Sequence, residues 1–236
     1  MKPVAILRHS VTEGPGYFAT VLDKHGIPWQ MTRIDAGDAV PEDALEFAGL
    51  CLMGGPMSAN DDLPWIAQAL ALIRAAVGAG VPVIGHCLGG QLMAKALGGT
   101  VSRNPVKEIG WGSVSVPENA EALRWFGGLR GFFAFHWHGE TFSIPANATR
   151  ILESSHCANQ AFALGPHLAL QCHVEMTPEL IHAWCREWDK EVTALSQRAP
   201  SVQTPSEILE QIEPRLKALH AVADRLYERW IEGLKR

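Results

Sequence analysis

Cys87, His173 and Glu175 are the residue types that a thiol nucleophile, its base and an orienting carboxylate require. Cys87 lies in Gly85-His86-Cys87-Leu88-Gly89-Gly90-Gln91, between a short apolar run, Val81 to Ile84, and apolar residues at helical spacing from Leu88 to Leu97. This pattern predicts a buried strand, a sharp turn carrying Cys87 with its sulfur exposed above the sheet, and a helix closed by Gly98 and Gly99. The free N–H groups and positive dipole end of that helix favour a thiolate and, later, an oxyanion. The same stretch also fits an inert cysteine in an ordinary strand–helix crossover.

His173 and Glu175 are two apart in Gln171-Cys172-His173-Val174-Glu175, so on a regular strand both face one side, while Cys172 turns into the core. Above an elbow they can complete a line from Cys87 through His173 to Glu175, the imidazole taking the thiol proton and the carboxylate fixing its tautomer. His-x-Glu alone is also compatible with a stray pair or, with a cysteine, a zinc site. Against metal, no second pair has ligand spacing and no Cys-x-x-Cys occurs. His86 is a second candidate base without a carboxylate of its own.

The elements that must position these groups follow from the pattern. Val4 to Leu7 reads as a first strand, and a glycine- and proline-marked turn, Arg8 to Gly16, leads to a helix from Tyr17 to His25 ended by Gly26. His9 falls at the carboxyl end of that strand, where open sheets place ligands, and reads equally well as a structural histidine. Strands are expected at Trp29 to Ile34 and Leu50 to Met53, with Pro41 as a helix starter between them. The second of these runs into Gly54-Gly55-Pro56-Met57-Ser58, whose glycines either form an anion-binding nest or serve a tight loop. A helix from Trp65 to Val77 precedes the Cys87 strand, giving a β-α repeat and a mostly parallel sheet covered on both faces.

Beyond Thr100 short β-rich segments (Gly112 to Val116, Gly131 to His136, Arg150 to Ser155, Gln160 to Leu164) predict a small antiparallel extension. Leu168 to Cys172 is a further strand. Thr177 and Pro178 start a helix running to about Leu195. Gln197 to Pro205 breaks it, and Ser206 to Arg236 is helical again. The chain therefore reads as one domain, residues 1–195, with a helical extension, 196–236, packed on it or serving an oligomer contact.

Composition narrows the function. A net charge of -5 without a Lys/Arg cluster argues against nucleic acid. Five cysteines, an odd count at irregular spacing, fit a reduced interior. No basic leader or long apolar run appears, so the expectation is a cytoplasmic protein without a membrane span.

Met53-Gly54-Gly55-Pro56, Gly85-His86-Cys87-Leu88-Gly89-Gly90-Gln91 and Gln171-Cys172-His173-Val174-Glu175, in this order, resemble the motifs of the triad (class I) glutamine amidotransferases. The likeness is to the glutaminase domain of GMP synthase and its free-standing relatives, and it extends to about Trp188. It implies an α/β, flavodoxin-like doubly wound fold. It also implies that Cys87 attacks the glutamine side-chain amide, that His173 is base and then acid, and that Glu175 orients it. The backbone N–H groups of Gly55 and Leu88 would form the oxyanion hole, in agreement with the nest and helix start argued above. Gln91 would bind substrate beside Gly54. Lys107 to Trp111, with Gly110 and Trp111, and the loop of His136, Trp137 and His138 resemble the pocket lining, although the loop also fits a surface turn. No cofactor or metal is implied.

Departures are Gly90, where many relatives carry histidine, His86, Cys172 and Val174. The chain lacks a phosphate loop and room for a synthetase domain, so ammonia would pass to a separate synthetase subunit. Alternatives are a stand-alone hydrolase of γ-glutamyl amides, a non-catalytic glutamine-binding protein, and a cysteine protease or deglycase on a related fold.

Overall fold

Alternation along the first strand sets the layers. β1 (Val4–Arg8) sends Val4 and Ile6 into one hydrophobic cluster and Ala5 and Leu7 into another, on opposite faces of a sheet. The computed structural model describes residues 1–235. In it β2 (Trp29–Arg33), β1, β3 (Gly49–Leu52), β4 (Val83–His86) and β9 (His167–Leu170) lie side by side in parallel. The sheet continues antiparallel through β8 (Ala161–Leu164), β7 (Thr149–Ser154), β5 (Val101–Ser115) and β6 (Gly131–Phe142), nine strands among the described residues. The order β2-β1-β3-β4-β9 is that of a flavodoxin-like doubly wound sheet.

Helices cover both faces. α2 (Pro64–Gly78) and α3 (Leu88–Ala96) bury Ile66, Leu72, Ile73 and Leu92 on the Ala5 and Leu7 side. α1 (Gly16–Lys24), α4 (Ala120–Phe126) and α5 (Pro178–Glu187) bury Phe18, Trp125 and Ile181 on the other. After α6 (Asp189–Ser196) and α7 (Pro205–Leu209), α8 (Ile212–Ile231) adds Leu219, Leu226, Tyr227 and Trp230 to that same cluster. Leu219 and Leu226 are 1% and 0% exposed; at ~1.5–3 kcal/mol per buried aliphatic side chain, the extension is part of the core.

Several expectations need correction. Pro41 starts no α-helix; two short 3₁₀ turns, Ile34–Ala36 and Ala44–Glu46, connect β2 to β3. The antiparallel part is not small, since β5 and β6 form a long ribbon of 15 and 12 residues. The helix starting at Pro178, capped by Thr177 as expected, breaks at Trp188 into α5 and α6. The last helix is likewise divided: Gln211 adopts φ 53°, a left-handed conformation that separates α7 from α8. The end of that expected helix, Arg236, lies outside the described residues. α4 was not expected, although Asn119 caps it by accepting from the Ala122 N–H and Gly127 closes it at φ 63°. Among the described residues no helix is long and apolar enough to cross a membrane.

Candidate active site

Close packing of glycines makes the elbow. A Cβ on Gly85 would lie 2.4 Å from the Gly89 backbone, one on Gly89 2.1 Å from the Leu52 carbonyl, and one on Gly90 2.4 Å from the Leu170 carbonyl. α3 can therefore start directly against β3, β4 and β9. The cost is concentrated at Cys87, whose φ of 49° and ψ of -106° are strained for a residue with a side chain. Its N–H donates to the Leu170 carbonyl at 2.8 Å. The sulfur is not exposed above the sheet as expected. Cys87 is only 6% accessible, on the floor of a cavity of about 730 Å³ that it shares with His173, Gly55, Gln91, Trp137 and His138.

His173 and Glu175 lie beyond the end of β9 rather than on it. A lone bridge fixes this stretch: the His173 N–H donates to the Phe135 carbonyl at 2.8 Å. His173 Nδ1 donates to Glu175 Oε1 at 2.6 Å, and His173 and Cys87 line the same cavity. His173 Nε2 is buried and has no hydrogen-bond partner among the described residues. Burial disfavours charge on both members of the pair, but their mutual attraction wins. The Glu175 carboxylate, with Cys87, holds the imidazole well above its usual range, and the His173 and His86 rings hold Glu175 well below its own. Trp184 stands edge-on to the His173 ring at 4.9 Å and helps keep the pair dry.

The glycine loop meets the elbow as expected. A Cβ on Gly55 would lie 2.7 Å from Leu88 Cδ2 and 3.2 Å from His9 Cβ, so only glycine lets the loop approach the start of α3. His9 is structural: its Nδ1 donates to the Met53 carbonyl at 3.0 Å, and its ring stacks on Trp65 at 4.8 Å. Burial pushes its pKa down to about 4.

The remaining expected contacts divide. Gln91 lines the cavity, but its Nε2 donates to Gln171 Oε1 at 3.1 Å, and Gln171 in turn points its Nε2 at Cys87 Sγ, 3.5 Å away. In the sequence Gln171 stands only as the first residue of its motif. Trp137 and His138 line the cavity, and the Trp137 carbonyl is 3.9 Å from Cys87 Sγ.

Gly110, Trp111 and His136 do not reach it. Gly110, at φ 102°, and Trp111 face the extension: the Trp111 N–H donates to Gln203 Oε1 at 2.7 Å and its indole to the Ile208 carbonyl at 2.9 Å. Strand alternation places His136 on the inner face of β6, 2% exposed, where burial pulls its pKa down to about 4. There Glu108, His136 and His138 bring a carboxylate and two imidazoles within 4.8 Å of one another. Glu108 is already committed, accepting from Ser154 at 2.8 Å and Gln160 at 2.7 Å and facing His138 Nε2 at 3.0 Å. The cluster is a brace between β5, β6 and β7.

His86, the other candidate base, points away from the cavity. Its Nε2 is 3.0 Å from the Tyr227 hydroxyl of α8 and 3.9 Å from Glu175 Oε2, and burial lowers its pKa. Histidine at 86 therefore ties the extension to the back of Glu175.

Glu13 is among the cavity residues that the sequence did not single out. Glu13, on the loop after β1, reaches the cavity beside His173. A Cβ on Gly54 would lie 2.0 Å from Glu13 Oε2 and 3.3 Å from His173 Cε1. Gly54 thus leaves room for a carboxyl group. The signal available in sequence was an acidic residue inside the Glu13-Gly14-Pro15-Gly16 turn at a strand's carboxyl end.

Comparison with known proteins converges on one description. The pattern of the family described as glutamine amidotransferase class-I matches residues 18–184. The glutamine amidotransferase-like protein YfeJ of Salmonella typhimurium is 31% identical over 78% of this chain and 80% of its own. Gamma-glutamyl peptidase 3 of Arabidopsis thaliana is 25% identical over 70% and 69%. GMP synthase of Paraburkholderia phytofirmans is 30% identical over 61% of this chain, which spans only 25% of that protein. Among solved structures, a glutamine amidotransferase from Methylobacillus flagellatus superposes with a TM-score of 0.97 at 46% identity, over 100% of this chain and 96% of its own.

Proposed function

The chain belongs to the class I glutamine amidotransferase family, and we infer that it hydrolyses the side-chain amide of glutamine through a γ-glutamyl thioester on Cys87. The observation that carries the reading is Cys87 and His173 together in one cavity beside a glycine loop and a helix N-terminus, with Glu175 held on His173 Nδ1 at 2.6 Å. Cys87 Sγ, its proton held by His173, attacks the amide carbon. The oxyanion is met by the N–H groups of Gly55 and Leu88. The C–N bond then breaks as His173 returns the proton to nitrogen, and ammonia leaves. Water, deprotonated by His173, cleaves the thioester to glutamate and restores the thiol. Glu175 keeps Nδ1 protonated throughout, so Nε2 is the nitrogen that trades protons. A synthetase subunit receiving the ammonia is part of this reading.

The test is release of glutamate and ammonia from glutamine, with Cys87→Ala as control. Turnover lost with the thiol, together with a γ-glutamyl adduct on Cys87 by mass spectrometry, supports the reading; turnover that survives Cys87→Ala sinks it.

A second reading has its own support. The cavity, about 730 Å³, has the volume of pockets that take drug-sized ligands, more than free glutamine requires. That room, and the likeness to a γ-glutamyl peptidase, favour a hydrolase of larger γ-glutamyl amides. The chemistry at Cys87 is the same; the leaving amine differs.

A further inference from the structure

The Glu13 carboxyl group is an unpartnered acceptor beside the His173 ring. Its Oε2 and the Cε1 edge of His173 converge on the space above Gly54, and Glu13, Cys87 and His173 line one cavity. Cε1 lies between the Nδ1 that Glu175 holds and the Nε2 that trades protons, so the carboxyl group sits beside the proton-transfer path without occupying it. Among the described residues the Glu13 side chain has no hydrogen-bond or ion-pair partner, unlike the other carboxylates around the cavity. Glu140 accepts from the Ser58 hydroxyl, and Glu191 is paired with Lys107 at 3.0 Å.

The loop is fixed to the triad itself. The Glu13 N–H donates to the Ser10 carbonyl at 3.0 Å, and the Trp184 indole donates to the Thr12 carbonyl at 2.8 Å. The Tyr17 N–H donates to the Glu175 carbonyl at 2.8 Å. Gly16, at φ 50°, passes so close that a Cβ would lie 2.2 Å from that carbonyl. Glu13 is thereby carried at a set distance from Glu175 rather than hanging from a loose loop.

Resting on the hydrolytic reading above, we propose that Glu13 accepts a hydrogen bond from the leaving nitrogen and selects γ-glutamyl amides whose departing amine bears no carboxylate next to that nitrogen. As the His173 Nε2 proton moves to nitrogen ahead of C–N cleavage, the nitrogen gains an N–H and positive charge develops on it. The bond to Glu13 therefore strengthens in the transition state, which raises kcat rather than lowering KM. Ammonia and simple amines satisfy this acceptor. In a γ-glutamyl peptide the departing amino acid carries an α-carboxylate beside that nitrogen, so its negative charge would lie next to an ionised Glu13 in a cavity whose exposed rim also holds Arg103 and Lys107.

The experiment compares kcat and KM for glutamine, γ-glutamyl ethylamide and γ-glutamylglycine at pH 8.5, where Glu13 is ionised, in the full chain with Glu13, Glu13→Gln and Glu13→Asp. The parent should favour glutamine and the ethylamide over γ-glutamylglycine by at least about tenfold in kcat/KM. Glu13→Gln should lower kcat for glutamine by about 10- to 100-fold with KM little changed, and should largely erase the discrimination against γ-glutamylglycine. Glu13→Asp keeps the charge and should keep the discrimination at a reduced rate, separating selectivity from a general disturbance of the loop. An active Glu13→Gln with the parent's discrimination, or a parent that prefers γ-glutamylglycine, overturns the role of Glu13 while leaving the hydrolytic reading intact. Absence of Cys87-dependent turnover of all three compounds overturns both.

Discussion

Replacing Glu13 by glutamine should stabilise the protein at neutral and alkaline pH. Burial raises the Glu13 carboxyl from 4.5 to about 7, with Glu175 and Glu187 adding to the effect and His173 opposing it. The sign follows from linkage. A carboxyl group that holds its proton longer when folded gives no penalty below its unfolded pKa. As pH rises from 4.5 to about 7, unfolding releases a proton and stability falls; above about 7 the loss is complete. At 1.36 kcal/mol per pH unit this interval is worth about 3 kcal/mol. Glutamine has the same shape and does not titrate, so Glu13→Gln should match the parent near pH 4.5, gain through neutrality and level off. A gain of about 3 kcal/mol raises Tm by roughly 6–12 °C in a chain of this size. Urea unfolding of both proteins at pH 5, 7 and 8.5, with no γ-glutamyl compound present, reads the difference directly. A variant that is no more stable than the parent at pH 8.5, or whose advantage is the same at all three pH values, refutes the reasoning. Confirmation would mean that the fold tolerates a charge at a destabilising place, as sites kept for chemistry do.

Three further outcomes follow from the same geometry. Cys87→Gly should raise stability by about 1 kcal/mol or more, because glycine accepts φ 49° and ψ -106° without strain, while abolishing thioester formation; thermal unfolding and turnover measure the two effects. Gly90→Ala should cost at least about 2 kcal/mol, since its Cβ would meet the Leu170 carbonyl at 2.4 Å and both partners are backbone; an unchanged urea midpoint would contradict this packing. His9 and His136, both pushed down to about 4 by burial, stabilise the fold fully above the ordinary histidine pKa, and that stability is lost as pH falls from about 6.5 towards 4. The urea midpoint should drop over that window, and His136→Gln should flatten part of the slope if the substituted protein stays folded at pH 7.

Local pattern carried much of this molecule. The elbow was legible because a β4-type apolar run, a glycine-flanked cysteine and a helical repeat occur in one continuous stretch, and the order of strands and helices followed from period and turn residues. The breaks at Trp188 and Gln211 were not, since α6 is placed by Val192 reaching the cavity wall beside Trp188, and α8 by Tyr227 and Trp230 packing on Phe18. α4 was missed although Asn119 and Gly127 mark its ends, because seven residues give too few turns for an apolar stripe to show.

The site divides along the same line. Cys87, His173 and Glu175 could be named from their types, but the sequence could not show that Gly110 and Trp111 turn to Gln203 and Ile208, because that depends on a segment some ninety residues away folding back onto β5. Glu13 escaped notice for the converse reason. Nothing near it in the chain needs a carboxylate; its neighbours are His173 and Gly54, and its placement comes from Gly16 riding on the Glu175 carbonyl. A glycine at 54 reads as a nest residue in sequence and as an empty place for another residue's carboxyl group in three dimensions. The two roles predict different variants. A nest glycine should tolerate alanine if φ allows, whereas Gly54→Ala puts a methyl group 2.0 Å from Glu13 Oε2 and must push that carboxyl group away from His173. On the reasoning above, Gly54→Ala should therefore copy the loss of leaving-group selectivity seen on removing Glu13 itself, although no charge has been changed. Kinetics of Gly54→Ala on glutamine and γ-glutamylglycine decide between them: a parent-like ratio would return Gly54 to the role of a simple turn residue.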